Sequence, residues 1–343
     1  MAVAVDRVDM LFNEMILQLR GQLSSFSDAF AIVGAIYTTQ KTLNIVCGCY
    51  RAISVYGLPK LRRRPDLVSR YGPWALVTGC TDGIGKAYAQ ELASCGMNII
   101  LISRSNDKLI KCAKDLESQF RIQTQVVTAD FSQGGAIYAM IEEEIKDKEI
   151  GILVNNVGVM YYPECLHEMN LDRIFQLINV NITAATIMSR IVLPQMVERK
   201  KGAVVNLTAA ASIRPNPQLA VYTATKTYLD FLTQSLQYEY EDKGITVQSL
   251  MPCYVATKMT KYGQNVPSPG YFIPSASLYA RRALSTLGVS SRTTGYWPHQ
   301  LQLWIAEMIP DRMWLWGANI VNSAIKRRIV QQKKRGTLAS SSS

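Results

Sequence analysis

A chain of 343 residues with 48% hydrophobic and 18% charged residues can bury a full core, which argues against wholesale disorder and for one large α/β domain with added ends. Its net charge of +11 admits nucleic acid, membrane lipid or an anionic small molecule, but no interleaving of basic and aromatic residues supports a nucleic-acid partner. Seven irregularly spaced cysteines and two histidines, His167 and His299, argue against a disulfide framework, a His-based metal site and a Ser-His-Asp triad, and both histidines are expected on the surface or in loops.

Residues 1–71 form an N-terminal segment. Asp6, Asp9, Glu14 and Asp28 precede any long apolar run, unlike a cleavable secretory or mitochondrial leader, so the segment is expected to be retained. Residues 29–57 are mostly apolar but carry Lys41 and Arg51. Their length suits membrane association, whether by spanning, by lying in the interface or by packing as a helix on the domain. Lys60, Arg62, Arg63 and Arg64 follow and would flank that membrane on the cytoplasmic or matrix side.

Residues 72–300 form the main domain. Strands are expected at Trp74–Thr78, Asn98–Ile102, Gln125–Thr128, Gly151–Val154, Ala203–Leu207 and Ile245–Leu250. Helical periodicity fills the gaps at Ile84–Cys95, Lys108–Phe120, Ile137–Lys146, Asn181–Val197 and Val221–Asp242. This alternation predicts an α/β fold, a doubly wound parallel sheet of Rossmann-like type. Beyond 258 the rhythm is lost, with one helix near Ser277–Leu287 and an aromatic turn at Tyr296–Trp297–Pro298. Residues 301–343 are a C-terminal extension. Its apolar stretches Leu301–Ile309 and Met313–Ile325, split by Pro310, read as a second membrane contact or as a cap on the substrate pocket. Residues 333–343 are basic, then serine-rich, and are expected to be disordered.

The first strand runs into Thr78-Gly79-Cys80-Thr81-Asp82-Gly83-Ile84-Gly85 and then a helix. Glycines there allow a tight turn and close approach to a pyrophosphate, whose charge the helix N-terminus favours. The second strand ends at Ser103-Arg104 with no acid. An acid would bind the ribose 2′-hydroxyl of NAD, whereas Arg104 suits the 2′-phosphate of NADP. Tyr222 and Lys226, four apart in a helical segment, share one face. The ammonium is expected to lower the phenol's pKa, so that the tyrosine exchanges a proton with a carbonyl or alcohol oxygen.

The glycine spacing, Asn155-Asn156-Val157-Gly158 and Tyr222-Thr223-Ala224-Thr225-Lys226, with Asp130 after the third strand, resemble the short-chain dehydrogenase/reductase family over roughly residues 72–258. The resemblance implies an NADP(H) site formed by Gly79, Thr81, Gly83, Ile84, Gly85, Arg104, Asp130, Asn156, Tyr222, Lys226 and Thr257. It implies catalysis by Tyr222 and Lys226, with Asn181 anchoring a proton-relay water. One departure stands out. Thirteen residues before the tyrosine, where the family has a serine that bonds the substrate carbonyl, this chain has Ala209. Thr208 is expected to point to the other sheet face, and Ser212 is a candidate substitute in the following loop.

Asp230-Phe231-Leu232, Leu236–Tyr240 and Val255–Met259 are similar to the 17β-hydroxysteroid dehydrogenase and very-long-chain 3-oxoacyl-CoA reductase branch. Arg292–Trp297 and Trp314–Ile320 resemble its hydroxysteroid dehydrogenase-like group, which includes inactive members. The resemblance leaves two readings open: an NADP(H)-dependent ketone reductase acting on a steroid or long-chain acyl substrate, or an inactive NADP(H)-binding pseudoenzyme. It implies a mitochondrial location, with the endoplasmic reticulum membrane as the alternative, and a homodimer through the segments near 181–197 and 221–240.

Overall fold

The computed structural model describes residues 2–57, 66–260 and 268–334. The chain divides into two compact units, Met1–Ser54 and Val55 onward. The first is a single helix, α1 (Ala2–Ala52), which runs into a π turn at Ile53–Gly57. The polar stretch inside α1 does not interrupt it, because the hydroxyls of Thr38 and Thr42 donate to carbonyls one turn earlier. Such back-bonding satisfies a polar side chain within the helix. Ile32, Val33, Ile36, Leu43, Ile45 and Val46 are all exposed on it.

The second unit begins with a short helix, α2 (Leu67–Tyr71), followed by β1 (Trp74–Thr78), α3 (Gly83–Ser94), β2 (Asn98–Ser103), α4 (Asn106–Phe120), β3 (Thr124–Thr128) and α5 (Ile137–Ile145). It continues through β4 (Ile150–Asn155), α6 (Leu171–Ile178), α7 (Ala184–Arg199), β5 (Gly202–Leu207), α8 (Ala220–Tyr240) and β6 (Ile245–Leu250). Its last elements are α9 (Ala276–Leu284), β7 (Arg292–Thr293), α10 (Trp297–Met308) and α11 (Asp311–Lys334). The strands form one parallel sheet in the order β3-β2-β1-β4-β5-β6-β7.

Strands β1, β4 and β5 are buried along their whole length, as a parallel sheet covered on both faces requires. Alternate side chains feed two cores. Ala75, Val77, Ile99 and Leu101 pack with Leu92 of α3 and Leu109 of α4. Leu76, Ile100 and Ile102 pack with Ile141 of α5 and Met188 and Val192 of α7. The strand order reverses between β1 and β4, and ligands of such sheets lie in the crevice opened at that switch point.

The helix expected at Asn181–Val197 is longer and compound. Helix α6 passes through a π turn, Asn179–Thr183, into α7. Among the described residues, only the run Leu171–Arg199 is long and apolar enough to cross a membrane, but half of its most apolar window is buried inside the protein. Its apolarity is that of a core helix. The aromatic turn expected at 296–298 instead opens α10, with Tyr296 at the N-cap and Pro298 in the first turn, where a missing N–H costs nothing. Helix α11 extends through Lys334, so the tail expected to be disordered starts as helix. Residues 335–343 and the cluster Lys60–Arg64 lie outside the described residues.

His167 is exposed, as expected, but His299 is fully buried in α10. Its Nδ1 accepts from the backbone N–H of Cys253 at 3.3 Å, and its ring lies 5.8 and 5.2 Å from those of Tyr279 and Tyr296. Burial pushes its pKa down to about 4, so it serves as a neutral packing group.

A buried carboxylate ties α8 to the sheet edge. Asp230, with its side chain 1% exposed, accepts from Ser249 Oγ at 2.6 Å and from Arg292 Nε and Nη2 at 3.2 and 3.0 Å. Removing it leaves a half-covered guanidinium unpaired and takes the buried acceptor of the serine hydroxyl, which keeps only Thr208 Oγ1. Asp230→Ala is therefore expected to lower stability by about 3 kcal/mol in urea unfolding. An unchanged unfolding midpoint would show that this clamp contributes nothing.

Candidate active site and cofactor cleft

The glycine turn is shaped by backbone geometry. Gly79 and Gly83 have φ of 65° and 56°, the left-handed region that side chains rarely enter. A Cβ on Gly85 would stand 2.3 Å from Asn156 Nδ2 and 2.4 Å from the Gly79 carbonyl oxygen. That contact exists because Asn156 is a clamp. Its Nδ2 donates to the carbonyls of Thr78 and Gly79 at 2.9 and 3.0 Å. Thr78 Oγ1 in turn accepts from the N–H groups of Asn156 and Val157 at 3.0 and 3.1 Å. The exits of β1 and β4 are thereby fixed to each other. Asp82 caps α3 by accepting from the Gly83 N–H and pairs with Lys258 at 2.6 Å. Burial opposes ionisation of Asp82, but the ammonium and the N–H outweigh it and lower its pKa.

A cavity of about 660 Å³ runs along this crevice. Arg104 and Asp130, at the ends of β2 and β3, line one end. Gly79, Thr81, Gly83, Ile84, Asn156 and Thr257 line the middle, and Tyr222 and Lys226 lie further along. Two of the sequence-derived site residues do not face it. Gly85 sits behind the turn, where its lack of a side chain admits Asn156. Asn181 is the other. Arg104 is exposed, and no ion pair or side-chain hydrogen bond engages it among the described residues. Asp130 Oδ1 is held by the N–H and hydroxyl of Ser132. Left-handed glycines, a helix N-terminus and an unengaged guanidinium on one wall fit a dinucleotide phosphate chain.

At the other end, α8 carries Tyr222 and Lys226 one turn apart, and both are buried. Lys226 Nζ donates to the Leu207 carbonyl at 2.9 Å. Asn181 lies in the π turn, with Oδ1 accepting from the Val159 N–H and Nδ2 donating to the Val159 carbonyl and Thr225 Oγ1. Its amide therefore braces the strand exit against α8. It stays close to the lysine, since a Cβ on Gly158 would lie 3.4 Å from both Asn181 Oδ1 and Lys226 Nζ.

The Tyr222 shift runs opposite to the one expected. Burial, aided by Tyr254, pushes the Tyr222 phenol up to about 12. Burial likewise brings Lys226 down to about 8. Desolvation outweighs attraction here because the ammonium is directed to the Leu207 carbonyl, while the phenol has no hydrogen-bond partner among the described residues. Tyr222 is thus held in its protonated form at neutral pH.

Ala209 lines the cavity in extended conformation and offers no donor. Neither neighbour compensates. Contrary to expectation Thr208 lines the cavity too, because β5 ends at Leu207, but its Oγ1 is already engaged with Ser249 Oγ and the Leu250 carbonyl. Ser212 is buried outside the cavity lining, its hydroxyl without a partner.

The sequence left open what the C-terminal apolar stretches do. Leu303 and Ala306 of α10 and Trp314 of α11 line the cavity, so they cap it. Arg214 fastens the cap. It donates to the carbonyls of Glu307 and Ile309, lies 3.6 Å from Asp311, and stands 5.8 Å from the Trp314 ring. A cation placed on the last carbonyls of a helix suits its dipole.

The family model for short chain dehydrogenase matches residues 73–266. The chain belongs to the short-chain dehydrogenase family. It is 48% identical over 325 residues to "Inactive hydroxysteroid dehydrogenase-like protein 1" of Homo sapiens, covering 94% of this chain and 97% of that one. It is 40% identical to "Very-long-chain 3-oxoacyl-CoA reductase" of Anas platyrhynchos, covering 88% and 96%. Among solved structures, a short-chain dehydrogenase from Sphingobium yanoikuyae in complex with NADPH superposes with a TM-score of 0.57 at 29% identity, over 62% of this chain and 83% of that one. Within this family the chain keeps the tyrosine and lysine of the resemblance and lacks its serine.

The desolvated ammonium makes a pH-dependent contribution. Unfolded, Lys226 holds its proton up to about pH 10.4; folded, it releases it near 8. Between these values the unfolded state binds more protons, so stability rises with pH. Relative to Lys226→Met, the cofactor-free wild type is expected to gain about 2 kcal/mol between pH 7 and 9.5 in denaturant titrations. A flat difference over that range would mean that the ammonium is not desolvated.

Proposed function

We propose that this chain is an NADP(H)-dependent oxidoreductase that reduces a ketone, or oxidises the matching secondary alcohol, of a steroid or long-chain acyl substrate. The observation that carries this reading is the shared wall: Tyr222 and Lys226 line the same cleft as the glycine turn. When bound, the cofactor supplies hydride. Arg104 suits the 2′-phosphate that distinguishes NADP from NAD, and the α3 N-terminus suits the pyrophosphate. Tyr222, protonated at neutral pH, donates its hydroxyl proton to the carbonyl oxygen during reduction. Lys226 holds positive charge beside the cleft, and Asn181 braces the loop that faces it. Leu303, Ala306 and Trp314 favour an apolar substrate and keep water from the reacting end.

Ala209 should slow the reaction. Losing one donor to a developing oxyanion typically costs about 10²–10³ in rate. The same residue, together with a relative named inactive, favours a second reading, in which the chain binds NADP(H) as a sensor or scaffold without turnover. We further propose membrane association of α1 through its exposed apolar residues, a homodimer through α7 and α8, and mitochondrial residence.

NADPH oxidation against a panel of steroids and 3-oxoacyl-CoA compounds separates the two readings. The oxidoreductase reading expects slow turnover that Tyr222→Phe abolishes and Ala209→Ser raises by about 10–100-fold. NADPH binding without turnover in either wild type or Ala209→Ser establishes the second reading.

A further inference from the structure

We propose that the outer face of α10 and α11 is a lipid-contacting surface that seats the mouth of the cleft against a bilayer carrying anionic headgroups. Both helices are two-sided. One side lines the cleft through Leu303, Ala306 and Trp314. The other side of α10 presents Trp297, Ile305 and Met308, which are 42%, 55% and 83% exposed. Along α11, Met313, Trp316 and Ile320 repeat the pattern at helical spacing, 61%, 69% and 46% exposed. Single exposed apolar residues are ordinary, but six at helical spacing on two consecutive helices are a surface.

The patch is organised. The Tyr271 ring lies 6.2 Å from that of Trp297 and 5.2 Å from that of Phe272, and both neighbours are exposed. The carbonyls of Tyr271 and Phe272 accept from Tyr296 Oη and Gln302 Nε2, which pins this aromatic corner to α10. Tryptophan and tyrosine combine an apolar body with a polar tip and suit the headgroup layer.

Charge selects the occupant. Arg312 and, beyond the apolar stripe, Arg327 and Arg328 are exposed on α11. Two acids share this face and are also exposed, Glu307 at the cleft rim and Asp311, which lies 3.6 Å from Arg214, so the three arginines outnumber them. Basic residues bordering an aromatic and aliphatic stripe match a helix lying in the plane of an anionic membrane surface. The surface gains a purpose from the proposed lipid-like substrate, which would enter the apolar wall directly from the bilayer. It uses none of the residues of α1.

The tryptophans provide a local readout. Four of the five, Trp297, Trp304, Trp314 and Trp316, belong to α10 and α11, while Trp74 is buried at the sheet. The full-length protein is mixed with phosphatidylcholine vesicles, with and without phosphatidylserine, in which some acyl chains are brominated. The proposal expects strong quenching of tryptophan fluorescence in the anionic vesicles. Met308→Gln with Ile320→Gln should weaken vesicle affinity of the quenched state by at least about fivefold, with NADPH binding unchanged. Vesicle co-sedimentation without quenching overturns the proposal, because α1 alone would then hold the membrane. Absence of vesicle binding, with a discrete dimer that the double variant dissociates, overturns it in favour of a self-interface. Quenching requires no turnover, so a failure of the proposed reaction is distinguishable from a failure of this surface.

Discussion

The amide of Asn156 holds the centre of the molecule together. Its two donated hydrogen bonds reach the carbonyls of Thr78 and Gly79, at the point where the chain leaves β1 for the glycine turn. A parallel sheet separates there, since β1 and β4 send their following segments to opposite sides. Without a brace the crevice would be bounded by two loops free to drift. With it, the left-handed glycines, the α3 N-terminus and the exit of β4 become one wall. Gly85 exists in this arrangement to leave room for the brace, which is why it is needed at the site without facing the ligand.

The rest of the site is built outward from that wall. The exit of β4 continues to Val159, whose backbone is held by Asn181. Asn181 also bonds Thr225 on α8, so the π turn, the loop and α8 are linked by one amide. Asn181 and Val180 are the buried residues of the π turn that joins α6 to α7. Lys226 closes the circuit on the Leu207 carbonyl at the end of β5. The glycine turn and the Tyr222–Lys226 pair thus share a rigid frame, yet they rest on different groups. Ala209 places no side-chain donor beside Tyr222 and leaves the glycine turn untouched, so in the proposed function binding and turnover are separable.

Much of this was legible in the sequence, and the reasons are physical. The central strands β1 and β4 are continuous, mostly apolar runs because both sheet faces are covered there, and such runs are readable without structure. The glycine turn is readable because its backbone geometry excludes other residues. Local pattern could not report groups whose setting is made by distant chain. His299 looks polar in sequence, but α10 buries it between Tyr279 and Tyr296. Tyr222 and Lys226 are correctly paired by their spacing, yet spacing carries no information on desolvation, which reverses the expected shift of the phenol. Helix α6 and its π turn were hidden because an apolar core run gives no sign of where its hydrogen-bond register changes. The two apolar stretches around Pro310 read equally as membrane contact or cap, since either buries apolar residues; the positions of Leu303, Ala306 and Trp314 in the cavity wall establish the cap.

The account depends most on the cleft being a dinucleotide site with Arg104 at its 2′-phosphate end. Titration of the full-length protein with NADPH and NADH tests this directly. The account predicts NADPH binding at least about tenfold tighter than NADH, a difference of about 1.4 kcal/mol, and loss of that difference in Arg104→Ala. Equal affinity for the two cofactors in the wild type, or no binding of either, would contradict it.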